Sequence, residues 1–419
     1  MDRKIVFVCC LVMSLLIQSL SAQMLLRSVD TLEFAHFEAD TLAFDMRTSK
    51  LVPFFQKFDE VVTTDEGNVN ILHLGSSHVQ AGTLSHTIRR NLLLSYPHLI
   101  ARRGMIFPYS AANKCNNPAD YLVKRSCEFQ LIRNVYQEHL TPLGATGIAV
   151  YVQGQPAEIK ITLNDADLEF CTNRIIVLGE SNDGKVVPWI RIDTTYYYPV
   201  IKDLELRRYV FEVKDFTDSF TVVMPCDSTQ RFTLTGVFLD NDRPGLTFHS
   251  IGVNGADLDD YLRCPYLATD MELLQPDMVI FGIGINDANS DIFDSVTFKN
   301  RYLQLIQRIR QVNPDCAFVF ITNNDSYKKI SRRNYAVNRN NLQVRDVMYR
   351  LAEETQGAVW DQFDIMGGLK SMDKWRQSGY AQTDRIHFTV KGYKLLGDLF
   401  FNAFMEAYSE CGSHSSSLP

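Results

Sequence analysis

Two hydrophobic periods share this chain. Near its start, Val69-Asn70-Ile71-Leu72-His73-Leu74 is a short apolar run that ends at Gly75. Residues 78–94 follow with helical spacing, so the pattern predicts a strand handing over to a helix. Between about 140 and 242 the period shortens to two: Ile159, Ile161 and Leu163 alternate with Lys160, Thr162 and Asn164, and Phe232 and Leu234 with Thr233 and Thr235. Further runs at 147–153, 174–178, 189–198, 208–213 and 220–224 are separated by Gly, Pro, Asn and Asp. Short strands at this spacing predict a β-sandwich or jelly roll. After 242 the strand–helix rhythm returns. Strands are expected at 246–253, 278–283, 317–322 and 358–360, and helices at 298–312, 335–354 and 390–408. The last places Tyr393, Leu396, Phe400 and Phe404 near one face.

Strands alternating with helices imply a mainly parallel sheet covered on both faces. The expected architecture is therefore α/β, three layers (α/β/α), interrupted by an inserted β-domain. The expected division is 23–139 and 243–410 for the two α/β parts, 140–242 for the insert and 411–419 for a flexible Ser-rich tail. The N-terminus adds a leader. Arg3 and Lys4 precede an apolar run to Ile17, and small residues at Ser19, Ser21 and Ala22 permit cleavage, best after Ala22. That is the form of a secretory signal peptide at 1–22, so export to the periplasm or outside the cell is expected. No later apolar stretch is long enough to span a bilayer.

Composition mostly removes hypotheses. At 46% hydrophobic and 22% charged residues the chain is an ordinary globular protein. Its net charge of −7 gives no reason to expect nucleic acid or an anionic membrane as partner. Seven cysteines follow the leader, and Cys115–Cys127 and Cys171–Cys226 are candidate disulfides in an oxidising compartment. Buried, inert thiols are the commoner case and are expected for most. There is no CxxC or HExxH, so no metal or cofactor is called for.

Four short segments carry chemistry together, although each alone would pass as a turn or a helix cap. Gly75-Ser76-Ser77-His78 sits where a buried strand meets a helix, at the sheet edge where α/β folds place ligands. It lacks the second glycine of G-x-S-x-G, because Val79 occupies that place, which argues against the α/β-hydrolase elbow. Ser250-Ile251-Gly252-Val253-Asn254-Gly255-Ala256 is a glycine turn that can bring an unobstructed N–H close to a substrate. Gly284-Ile285-Asn286-Asp287 follows a strand and offers a neutral amide donor. In Asp384-Arg385-Ile386-His387, an Asp three residues before a His can hold Nδ1–H and free Nε2 to take a proton from serine.

In this order, the four segments resemble the SGNH (GDSL-like) hydrolase superfamily, a resemblance that covers the α/β portions and leaves the β-insert outside. The resemblance implies Ser77 as nucleophile, His387 as general base and then acid, and Asp384 as its orienter. It implies an oxyanion hole of Ser77, Gly255 and Asn286, with Gly252 as a substitute for Gly255. One departure stands out: Ser76 occupies the place of the family's Asp, where a serine can also accept bracing hydrogen bonds. The leader, the GxSH start, the segment Gly104-Met105-Ile106-Phe107-Pro108-Tyr109 and the β-insert further resemble exported bacterial acetylesterases acting on O-acetylated peptidoglycan or related glycans.

The implied reaction is two-step acyl transfer without a cofactor, on an O-acylated glycan or another ester. Trp189, Tyr196, Tyr197 and Tyr198 make the β-region aromatic, and such a cluster is more often core than sugar platform. A lipase, thioesterase or acyltransferase would use the same machinery. A non-catalytic glycan-binding protein is the reading from another class.

Overall fold

The computed structural model describes residues 26–415, apart from 65, 113–116, 166, 167, 169 and 333. The leader at 1–22, Cys115 and the final residues 416–419 lie outside the described residues. Six strands form the sheet on which the candidate site is mounted. They are β1 (Leu42–Ala43), β2 (Asn68–Gly75), β3 (Gly245–Gly252), β4 (Met278–Gly282), β5 (Ala317–Ile321) and β6 (Ala358–Trp360). Their order is β1-β6-β5-β4-β2-β3, with every neighbour parallel except the edge strand β1. Almost every residue of β4 and β5 is buried, as in strands covered on both faces.

The cover is helical. Helices α1 (Leu51–Thr64), α3 (Thr83–Ser95) and α6 (Val390–Ser415) pack together, with the short α2 (Ser77–Gln80) between β2 and α3. Helices α4 (Ser295–Arg310) and α5 (Asn340–Thr355) form a second group, with α5 lying on β5 and β6. In α1 the buried residues Leu51, Phe54, Phe55, Phe58, Val61 and Val62 fall on one helical face. Phe54, Phe55 and Phe58 meet the ring of Phe404 edge-on, with centroids 6.2, 5.1 and 5.5 Å away. Offset and edge-on rings add to the area they bury.

Two antiparallel sheets complete the α/β molecule. One has five strands in the order Thr195–Tyr197, Trp189–Ile192, Ser219–Met224, Ala157–Leu163 and Tyr121–Arg125. The other runs Ile201–Asp203, Arg208–Thr217, Thr172–Ser181, Arg231–Asp240, Ile148–Gln153 and Gln130–Arg133, with Gly104–Ile106 also paired to Arg231–Asp240. Pairing in the molecule as a whole is therefore mostly antiparallel, and the expectation of a mainly parallel sheet describes only one of its three large sheets. Antiparallel strands also begin at Gly104, well before 140, because Gly104–Ile106, Tyr121–Arg125 and Gln130–Arg133 find edges in these sheets.

Other expectations need correcting. Residues 335–337 are a strand paired with Tyr327–Lys329 rather than the start of a helix, since tertiary pairing overrides a weak helical period. The helix expected over 78–94 is broken after Gln80 at Gly82, whose φ of +79° no helix continues through. Run 189–198 is a hairpin turning at Asp193 (φ +50°). Its Tyr196 and Tyr198 are 54% and 65% exposed and so belong to the surface, whereas Tyr197 packs partly buried against the core as expected. No disulfide joins Cys171 to Cys226. Residues 411–415 continue α6 where a tail was expected.

Replacing Phe404 by alanine empties the centre of the α1–α6 contact. We expect Phe404→Ala to cost about 3–5 kcal/mol in unfolding free energy, measured by urea denaturation.

Candidate active site

The site begins with three glycines. Gly75 ends β2, and the parallel register sets Gly252 of β3 and Gly282 of β4 directly beside it. A side chain at Gly75 would meet the Val79 methyl at 2.3 Å and the Gly282 carbonyl at 2.8 Å. One at Gly252 would meet the Gln80 nitrogen at 2.5 Å and the Ser76 carbonyl at 2.6 Å. The bare row lets α2 settle onto the carboxyl edge of the sheet, with Ser77 as its first residue.

Buried phenols then lock the strand ends. Tyr261 donates to the carbonyl of Gly75 (2.6 Å), Tyr109 to that of Gly252 (2.9 Å) and Tyr302 to that of Ile283 (2.6 Å). Each donates to a carbonyl at a buried strand end, and that of Gly75 also accepts the Val253 N–H at 3.4 Å. Burial pushes the Tyr261 and Tyr302 phenols well above their ordinary range, so both remain donors.

Ser77 and His387 are 310 positions apart, yet the Ser77 Oγ lies 2.8 Å from His387 Nε2. On the other side of the ring, Nδ1 is 2.7 Å from Asp384 Oδ2. Asp384 Oδ1 accepts the backbone N–H groups of Ile386 and His387, both at 3.0 Å. Burial alone would raise the Asp384 pKa. The hydrogen bonds from the His387 ring and from these two amides outweigh it and hold the carboxyl at about 2. This tight turn places Arg385 at φ +61°, and the Arg385 side chain is held over the rings of Tyr327 and Tyr335 and 3.1 Å from Asp373.

The ring of His78 stands 5.2 Å from that of His387, and its Nδ1 meets the Tyr393 hydroxyl at 2.8 Å. Burial, and then the neighbouring His387, push the His78 pKa down to about 3. His78 is therefore a neutral wall beside His387.

The loop of Gly255 is tied to the same turn, and Asn286 is tied to that loop. Gln80 Oε1 accepts the Asn254 N–H at 2.6 Å, and Arg133 donates to the Asn254 carbonyl. Asn286 Nδ2 donates one hydrogen to the Ala256 carbonyl at 2.8 Å, which fixes the amide and leaves its second hydrogen. Gly255, at φ +82°, is exposed, and no acceptor among the described residues takes its N–H. Gly252, by contrast, is a buried strand residue against α2 and spaces the site instead of facing it. Asn286 also borders a cleft of about 480 Å³ lined by Asp257, Asp287, Asn289, Phe298 and Arg301.

The structure thus brings Ser77, His387 and Asp384 into one hydrogen-bonded line. It ties the loop of Gly255 to α2 through Gln80 and to Asn286 through the Ala256 carbonyl. Ser76 does not brace the turn as expected: its Oγ is buried and without a partner among the described residues, and its carbonyl serves instead, accepting from Val79 and Gln80. Sequence reasoning missed Tyr261, Tyr302, Gln80 and Tyr393. Nothing local marks them, since each acts through one hydrogen bond across a long sequence gap. Tyr109 lay within a segment singled out for resemblance, without a role.

A serine–histidine–aspartate line at the carboxyl edge of a parallel sheet is an arrangement for acyl transfer. Residues 218–395 match the model of the GDSL-like Lipase/Acylhydrolase family, a stretch that includes Gly255, Asn286, Asp384 and His387 but not Ser77. The chain carries a GDSL-like lipase/acylhydrolase domain. No curated protein matches it. Among solved structures it resembles one described as "Peptidoglycan O-acetylesterase in action, 5 min", at 18% identity and a TM-score of 0.71, over 88% of this chain and 99% of that one. It is also similar to an acetyl xylan esterase at 20% identity and a TM-score of 0.30, over 38% of this chain and 80% of that one. At such identities the first likeness shows a shared fold.

Two outcomes test the site geometry. Gly252→Ala drives a methyl into the backbone of α2, so we expect about 1–3 kcal/mol of lost stability and displacement of Ser77, read by denaturation and by crystallography. The Asp384 carboxyl titrates below its unfolded value near 3.8, so its contribution is complete above about pH 4 and lost as pH falls through about 2. In His387→Ala one lowering contact is gone, and the carboxyl carbon resonance of Asp384 should titrate at a higher pH than in the native chain.

Proposed function

We propose that this chain is an exported serine esterase that removes O-acetyl groups from peptidoglycan or a related glycan. The observation that carries the reading is the 2.8 Å contact between Ser77 Oγ and His387 Nε2. In this mechanism His387 takes the hydroxyl proton at Nε2 while Ser77 Oγ attacks the ester carbonyl. Asp384, ionised at any pH above about 2, stabilises the imidazolium through Nδ1–H. The N–H groups of Ser77 and Gly255 and the second hydrogen of the Asn286 amide receive the oxyanion. His387 then returns the proton to the departing alcohol, and a water repeats the cycle to release the acid.

Polar side chains of the cleft beside Asn286, namely Asp257, Asp287, Asn289 and Arg301, suit a hydroxyl-rich substrate better than a long acyl chain. The leader-like N-terminus supports export. The same reading takes the antiparallel sheets as a domain inserted in the α/β chain, because they fall in sequence between β2 and β3, which are adjacent parallel strands.

Turnover of 4-nitrophenyl acetate tests this reading. We expect Ser77→Ala to lower kcat by ~10³-fold or more and Asn286→Ala by ~10²–10³-fold, with acetyl esters cleaved faster than octanoyl esters. Full activity in Ser77→Ala would remove the proposal.

A further inference from the structure

One face of the five-stranded antiparallel sheet is buried; the other is open at Lys124 and Lys160 and closed at Thr221 and Val223, which are buried. Ile159, Ile161, Ile190 and Val222 point to the core. On the other face the strand register lines up Lys124 with Lys160, Lys160 with Thr221, and Thr221 with Arg191. This row crosses four strands. Lys124 and Lys160 stand directly opposite each other, both exposed, and neither has an ion partner among the described residues. Like charges in that position destabilise a sheet pair, so the fold gains nothing from them. They line a cleft of about 280 Å³ together with Arg125, Arg191, Glu158 and Asp193. Arg191 is already paired with Glu158, so Lys124, Lys160 and Arg125 against Asp193 leave this cleft positive on a chain whose net charge is −7.

The row runs into an aromatic group. Tyr196 is paired directly across the hairpin from Arg191, and Trp189 shares that face because it lies two residues from Arg191 on the strand. Trp189 stands edge-on to Tyr196 and Tyr198, with ring centroids 6.4 and 5.8 Å apart, and the two tyrosines are more than half exposed. Rings held open to water beside cations offer flat apolar faces to an amphipathic ligand and positive charge to its anionic groups.

We infer that this face of the five-stranded sheet binds a glycan strand bearing carboxylate groups, with the sugar faces on Tyr196 and Tyr198, backed by Trp189, and the carboxylates at Lys124 and Lys160. Glu158 and Asp193 favour this ligand over a nucleic acid. Carboxylates accept the hydroxyl donors that every sugar unit offers, whereas a DNA strand offers none along its length. The inference rests on the reading of the chain as an esterase of acylated glycans, to which it adds the charge of the polymer.

Isothermal titration of the full chain against polygalacturonate, neutral dextran and an oligodeoxythymidylate tests it. Polygalacturonate should bind at least tenfold more tightly than dextran, and more weakly as salt is raised. The double variant K124Q/K160Q should lose at least tenfold in affinity for polygalacturonate, and Y196A/Y198A should weaken binding too. The single variant K124Q relieves the like-charge pair, so its melting temperature should equal or exceed that of the native chain, which separates lost binding from lost folding. Equal affinity for dextran, tighter binding of the oligonucleotide, or unchanged binding by K124Q/K160Q would each overturn the inference. Cleavage of 4-nitrophenyl acetate by the native chain reports separately on the esterase reading, so failure of one is not mistaken for failure of the other.

Discussion

Everything at the candidate site depends on how closely one turn of backbone can approach three strand ends. With Gly75, Gly252 and Gly282 in register, the edge of the sheet is bare where α2 sits down, and Gly252 lies against the backbone of Ser76 and Gln80. A methyl at Gly75 or Gly252 would fall well inside van der Waals contact with atoms that cannot swing away. Ser77 is therefore positioned by packing rather than by its own bonds, and the missing hydrogen bond of Ser76 is tolerated because the turn is wedged in place.

That close approach strands polar backbone, and the solution is a set of long-range side-chain bonds. Tyr261, Tyr109 and Tyr302 reach the carbonyls at the ends of the strands, while Gln80 and Asn286 tie the two donor loops. Each bond is modest in free energy, but leaving a buried carbonyl unmet costs more than making the bond gains. The result is a rigid frame on which His387 needs only its own short turn to meet Ser77. His78 completes the surroundings of that ring without adding charge. On the proposed mechanism, donors held in this way need no rearrangement when charge develops on a reacting carbonyl.

The antiparallel sheets obey different physics. In the larger one the strand Arg231–Asp240 is buried on both faces, whereas the five-stranded one leaves much of its outer face free to carry groups the fold does not need. On the five-stranded sheet those groups are a row of cations and an open aromatic cluster. Division of labour follows from the two sheet types: buried parallel strands present chemistry only at their ends, whereas a one-sided antiparallel sheet presents a whole face.

Local rules made a large part of this legible in the amino-acid order. Period-two and period-3.6 spacing marked most strands and helices, because solvent sorts side chains residue by residue. The segments around Ser77, Gly255, Asn286 and Asp384–His387 could be picked out because each chemistry needs a short local pattern. Where competing contacts come from far along the chain, the local pattern failed. Residues 335–337 became a strand because a partner strand was available, and the antiparallel sheets recruited strands from 104 onward because they had open edges. The tyrosine locks and the exposed face of Tyr196 and Tyr198 were likewise decided by tertiary structure, since burial and hydrogen-bond partners belong to the packed molecule. Sequence determined which groups could react; only the folded sheet, through the bare row of glycines, determined that they meet.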